Sequence, residues 1–129
     1  MRILLDTCTL LWFQMQPFRI PPALLRILIN KEVPLFLSAA VVWEMTIKWS
    51  SGKLSLPSPP DEFISKARRE SEIQSLPVFE SCALQVAKLP QLHRDPFDRI
   101  LIAQSIEHGL ALATPDPLIR QYAVKTIWE

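Results

Sequence analysis

The chain has 129 residues, 49% of them hydrophobic and 21% charged, and a formal net charge of +1. That length fits one ordinary domain. The apolar share excludes disorder, and near-neutrality excludes a protein that coats nucleic acid by bulk positive charge. Two glycines, Gly52 and Gly109, stand against twelve prolines. Neither a P-loop nor a dinucleotide fingerprint can be built from them, because both need several glycines close together.

In chain order, the apolar run at residues 3–5 predicts a buried strand that stops at Asp6. A short helix over 7–13 follows, ended by Pro17, and a second over 23–30 opens after Pro21-Pro22. Residues 35–37 form the next strand. Ser38 then N-caps a helix running through Glu44 and Ile47, with Gly52 just past its end. The stretch Ser58-Pro59-Pro60-Asp61 begins a helix reaching about Ser71. A strand over 74–78 and a helix over 79–89 come next, with Pro90 ending the helix. Asp95-Pro96 opens the helix that Gly109 closes, and 110–113 is a strand. Asp116-Pro117 starts a brief helix, and 124–128 is the last strand. Short apolar strands alternating with helices, without repeats or linkers, predict one α/β domain over residues 1–129 with a mainly parallel sheet covered on both faces.

Cys8 and Cys82 are isolated, so zinc ligation and a disulfide framework are both excluded, and they read as small hydrophobes in a reducing compartment. The N-terminal apolar run is too short for a signal peptide, and no segment is long enough to span a membrane. The expected location is the cytoplasm.

In parallel sheets, ligands bind beyond the carboxyl ends of the strands. Asp6, Glu44, Asp98 and Asp116 fall on elements leading to or from that edge. Carboxylates gathered there repel one another unless a hard cation such as Mg²⁺ or Mn²⁺ lies between them. Each also has an ordinary reading: Asp6, Asp95 and Asp116 as helix caps, and Glu44 as the i,i+4 ion-pair partner of Lys48. Cations near these acids are Lys48, Lys53, Arg94 and Arg99. Arg94 and Arg99 could meet phosphate or pair with the acids.

The motifs Leu5-Asp6-Thr7, Ser38-Ala39-Ala40-Val41-Val42-Trp43-Glu44, His93-Arg94-Asp95-Pro96-Phe97-Asp98-Arg99 with Leu101-Ile102-Ala103-Gln104, and Thr114-Pro115-Asp116 come in an informative order. Together with Lys48…Gly52-Lys53-Leu54 and Tyr122…Ile127-Trp128, they resemble the PIN domains, specifically the VapC-type ribonuclease toxins of bacterial toxin–antitoxin pairs. The resemblance spans essentially the whole chain. It implies a three-layer α/β/α sandwich and an acidic site for Mg²⁺ or Mn²⁺ made by Asp6, Glu44, Asp98 and Asp116, with Thr7 near the metal; by their charge and position, Lys48, Arg94 and Arg99 are the residues expected toward substrate. It further implies cleavage of RNA phosphodiester bonds, neutralisation by a cognate antitoxin, and a homodimer. Asp98 fits the third acid better than Asp95, because the helical Ile-Ala motif then aligns without a gap. Cys8, where relatives often carry a polar residue, and Ile119, where some carry a second acid, depart from the pattern. Trp12, Trp43 and Trp49 would suit a groove for an antitoxin segment or a second copy. The competing reading is a catalytically silent RNA- or protein-binding module on the same fold. A haloacid-dehalogenase-type phosphotransferase is disfavoured because Cys8 occupies the place of its second acid.

Overall fold

The computed structural model describes residues 1–129. Its sheet contains β1 (Ile3–Leu5), β2 (Leu35–Ser38), β3 (Ile73–Leu76), β4 (Ala111–Ala113) and β5 (Thr126–Ile127). They lie in the order β3-β2-β1-β4-β5, and every pair is parallel. The helices are α1 (Thr7–Met15), α2 (Pro22–Ile29), α3 (Ala39–Ser50), α4 (Pro60–Ser71), α5 (Glu80–Gln85) and α6 (Pro96–His108). Consecutive strand residues point to opposite faces, and Ile3, Leu4 and Leu5 are all fully buried. Helices therefore cover the sheet on both sides, giving the expected α/β/α sandwich. No helix is long and apolar enough to cross a membrane.

The strand-to-helix turns follow from local chemistry. After β1, Asp6 is extended and its Oδ1 accepts from the Thr9 N–H at 2.8 Å, capping α1. After β2, Ser38 caps α3 by accepting from the Ala40 N–H at 3.0 Å. Gly109 ends α6 at φ +65°, and Leu110 N–H reaches back to the Ser105 carbonyl. That conformation returns the chain directly into β4.

Five boundaries differ from the sequence reading. Helix α1 runs on to Met15, since nothing breaks it before Pro17. The strand expected at 74–78 is β3 at Ile73–Leu76, ending where Pro77 offers no N–H. The helix expected over 79–89 stops at Gln85 and tightens into a 3-10 turn at Val86–Lys88. The Val86 and Leu89 carbonyls are drawn to the Arg99 guanidinium instead of extending an α-helix. Asp116-Pro117 opens no helix: Asp116 Oδ1 accepts from the Leu118 N–H in a local turn, and a 3-10 turn forms only at Ile119–Gln121. The last strand shrinks to Thr126–Ile127.

Candidate metal centre

From β1 the chain moves outward through β2 to β3, then resumes on the other side of β1 with β4. The carboxyl ends of β1 and β4 therefore flank the point where strand order reverses, where open α/β sheets hold their ligands. A cavity of about 480 Å³ opens there, lined by Asp6, Glu44, Asp98 and Asp116 together with Thr7, Cys8, Trp12, Lys48 and Lys53. Asp6 comes from the end of β1, Glu44 from α3, Asp98 from the first turn of α6, and Asp116 from the loop after β4. All four acids named from the sequence thus share one cavity. A larger cleft of about 670 Å³ beside α1 and α4 carries exposed residues of both signs, including Asp61, Glu62, Lys66 and Arg69. It has no comparable convergence of carboxylates.

The crowding has electrostatic consequences. Burial pushes the Asp98 carboxyl up to about 7, and the carboxylates of Asp95, Asp6 and Glu44 push in the same direction, while His93 opposes them. Burial also raises Asp6, against the hydrogen bonds it receives from Thr114 and Thr9. Glu44, only 5% exposed, is held from two sides: the Thr7 hydroxyl donates to Oε1, and Lys48 Nζ pairs with Oε2 at 2.5 Å. The ion pair expected from the i,i+4 spacing is therefore present, and it lies inside the acidic cavity. The two readings of Glu44 coexist.

His93 was not singled out as a site residue by sequence reasoning. Its Nε2 lies 3.0 Å from Asp98 Oδ2 and 2.8 Å from Asp116 Oδ2. One ligand atom from each of His93, Asp98 and Asp116 falls within 4.8 Å of the others. The loop that carries His93 is pinned from afar. The Tyr122 hydroxyl accepts from the backbone N–H groups of Leu92 and His93 and donates to the Pro90 carbonyl. A lone histidine with no ligand spacing gave no signal for this role, because the pin arrives from the other end of the chain.

The donor set fits a hard divalent cation. It is dominated by carboxylate oxygens, one of them pushed up to about 7 by burial and by its negative neighbours, and a cation is what relieves such crowding. Asp95 does not line the cavity. Its Oδ1 accepts from the N–H groups of Phe97 and Asp98, so it caps α6 and orients Asp98 from behind.

The expected cations divide. Lys48 and Lys53 line the cavity, whereas Arg94 is exposed away from it. Arg99 is 7% exposed and donates to the carbonyls of Val86, Leu89, Pro90 and His93 and to the Tyr122 hydroxyl. It braces the loop before α6 and offers its fork to neither phosphate nor acid, which corrects the role expected from its place in the sequence. Burial and the Asp6 carboxylate push the Cys8 thiol up to about 11, so it is no nucleophile.

The tryptophans are accessible to different degrees. Trp43 is 63% exposed and packs edge-on to Phe97 beside an apolar groove that includes Ala39, Val78 and Ile100. Trp49 is also exposed, while Trp12 is half-buried against Trp128.

A family model described as PIN domain matches residues 3–125. No curated protein sequence matches the chain. Among solved structures, VapBC2 from Rickettsia felis bound to a promoter DNA fragment is similar with a TM-score of 0.75 and 13% identity, covering 100% of both chains. DNA-bound VapBC from Salmonella typhimurium has a TM-score of 0.68 and 15% identity, covering 98% of this chain and 97% of that one. FitAcB from Neisseria gonorrhoeae has a TM-score of 0.64 and 23% identity, with 97% and 96% covered. At these identities the likeness is one of fold.

Proposed function

Because the chain belongs to the PIN-domain family, we propose that it is a metal-dependent endoribonuclease toxin of the VapC type, acting as a single domain. The observation that carries this reading is the convergence of Asp6, Glu44, Asp98 and Asp116 on one cavity at the carboxyl edge of the sheet. Asp6, Asp98 and Asp116 would hold Mg²⁺ or Mn²⁺, with Glu44 completing the set. A bound divalent cation supplies charge neutralisation and polarises both the scissile phosphate and the attacking water.

The chain's own residues do the positioning. The Asp6 carboxylate is locked by its α1 cap and that of Asp98 is held by His93 Nε2 at 3.0 Å, so neither carboxylate must be ordered when substrate arrives. Thr7 and Lys48 hold Glu44 in place, where it orients the water. Lys53 adds positive charge at the mouth.

A cognate antitoxin is the proposed protein partner, and a second copy of the chain the proposed homodimer mate. The similar structures named VapBC and FitAcB support the pairing, as does the exposure of Trp43 beside an apolar groove. The cytoplasm is the proposed location, in keeping with two free cysteines.

The test is direct. Chelated protein should leave RNA intact, and Mg²⁺ or Mn²⁺ should restore cleavage. Asp6→Asn and Asp98→Asn should abolish it with unchanged circular dichroism. Cleavage at the wild-type rate by both variants would sink the carboxylate assignment. RNA binding without cleavage at any metal concentration would favour the silent binding module.

A further inference from the structure

The cations available at the cavity are fewer than the sequence implies. Lys48 is committed to Glu44, Arg99 is buried among carbonyls, and Arg94 lies elsewhere. Arg19, in the 3-10 turn Pro17–Arg19 after α1, stands apart from all of these. Its guanidinium carbon lies 4.2 Å above the Trp12 ring, and Trp12 lines the cavity. It makes no ion pair, and its one side-chain hydrogen bond is a 3.3 Å contact with Gln16 Oε1. Its charge reaches the Cys8 thiol, another residue of the cavity wall.

We infer that Arg19, held over the Trp12 ring, grips a backbone phosphate of the RNA strand and guides it into the carboxylate cavity. This rests on the nuclease reading above and adds a positioning residue to it. A guanidinium stacked on an indole keeps its N–H edge free for phosphate and has already given up much of its side-chain freedom. Phe18, in the same turn and 80% exposed, offers a bare ring to a neighbouring base. Cation and aromatic side by side are what single-strand binding uses, and here Arg19 rests on Trp12 at the wall of an acidic cavity that would otherwise repel a polyanion.

Binding is the readout that separates this from catalysis. In an Asp98→Asn background with Mg²⁺ present, an unstructured oligouridylate of about twelve nucleotides is titrated over a range of salt. Arg19→Ala should weaken binding about tenfold and lower the log–log salt slope by about 0.7, the loss of one single-strand phosphate contact. Arg19→Lys should keep the slope and recover only part of the affinity, because an ammonium does not stack. If Arg19→Ala binds with unchanged affinity and slope while the wild-type chain cleaves RNA, Arg19 is not a contact and the nuclease reading stands without it. If the wild-type chain neither binds nor cleaves RNA, both fall together.

Discussion

The imidazole Nε2 of His93 lies 2.8 Å from a carboxylate oxygen of Asp116, joining the loop before α6 to the loop after β4 across the mouth of the acidic cavity. The same nitrogen is 3.0 Å from Asp98, so His93 contacts two of the four acids. Imidazole suits Mn²⁺ better than Mg²⁺, which prefers oxygen and retained water.

His93→Ala should therefore weaken Mn²⁺ binding about 10–100-fold and Mg²⁺ binding much less. Calorimetric titration of both ions checks this. Equal losses for the two would show that His93 only positions the acids.

Asp98 makes metal-free stability fall with pH. Its carboxyl is pushed up to about 7 in the fold against an ordinary value of 3.8, so between those values the folded state holds a proton that the unfolded state has lost. Stability from this group is highest below about pH 4, declines as pH rises to about 7, and is level above that. Asp98→Asn should flatten this slope and raise Tm by several degrees above pH 7 in chelator. Thermal melts across pH test it. Saturating Mg²⁺ should erase most of the difference between the two proteins.

Asp95 and Asp98 should separate cleanly by mutation. Asp95→Ala removes the α6 cap and should cost about 1 kcal/mol, whereas Asp95→Asn keeps a capping oxygen and should cost only a few tenths. Asp95→Asn should retain cleavage in the same assay that shows Asp98→Asn inactive. Loss of cleavage in Asp95→Asn with full stability would place its charge in the chemistry.

Arg99 and Arg94 should differ in stability. Removing the buried Arg99 fork leaves several carbonyls and the Tyr122 hydroxyl short of a donor, at a cost on the order of 3 kcal/mol in urea denaturation. Arg99→Lys should recover little, because an ammonium cannot span the same carbonyls. Arg94→Ala, on an exposed side chain, should stay within about 0.5 kcal/mol of wild type.

The sequence made legible whatever is written locally. The apolar run of β1 ending at Asp6, the Ser38 cap, the Asp95-Pro96 start and the Gly109 stop are each decided within a few residues, and they place Asp6, Glu44 and Asp98. What escaped depends on contacts between distant segments. Arg99 sits in a motif full of acids and reads as their partner, yet the short loop from Pro90 to Asp95 folds over it and captures its donors. His93 becomes a site residue only because Tyr122 fastens that loop by its backbone. Arg19 meets the cavity only through its stack on Trp12. The truncation of α5 has the same origin, since its next carbonyls belong to Arg99.

The placement of β1 between β2 and β4 bears on how the chain is made. Asp6 is made well before the strand that closes the cavity on its other side, and before Asp116 beyond that strand. Parallel neighbours cannot pair through a tight hairpin, so this strand pairing must wait for distant chain. No contiguous stretch carries the whole acidic centre, and a chain still growing on the ribosome has no complete one. An acidic centre assembled this way exists only once Asp116 has been made and β4 has paired with β1.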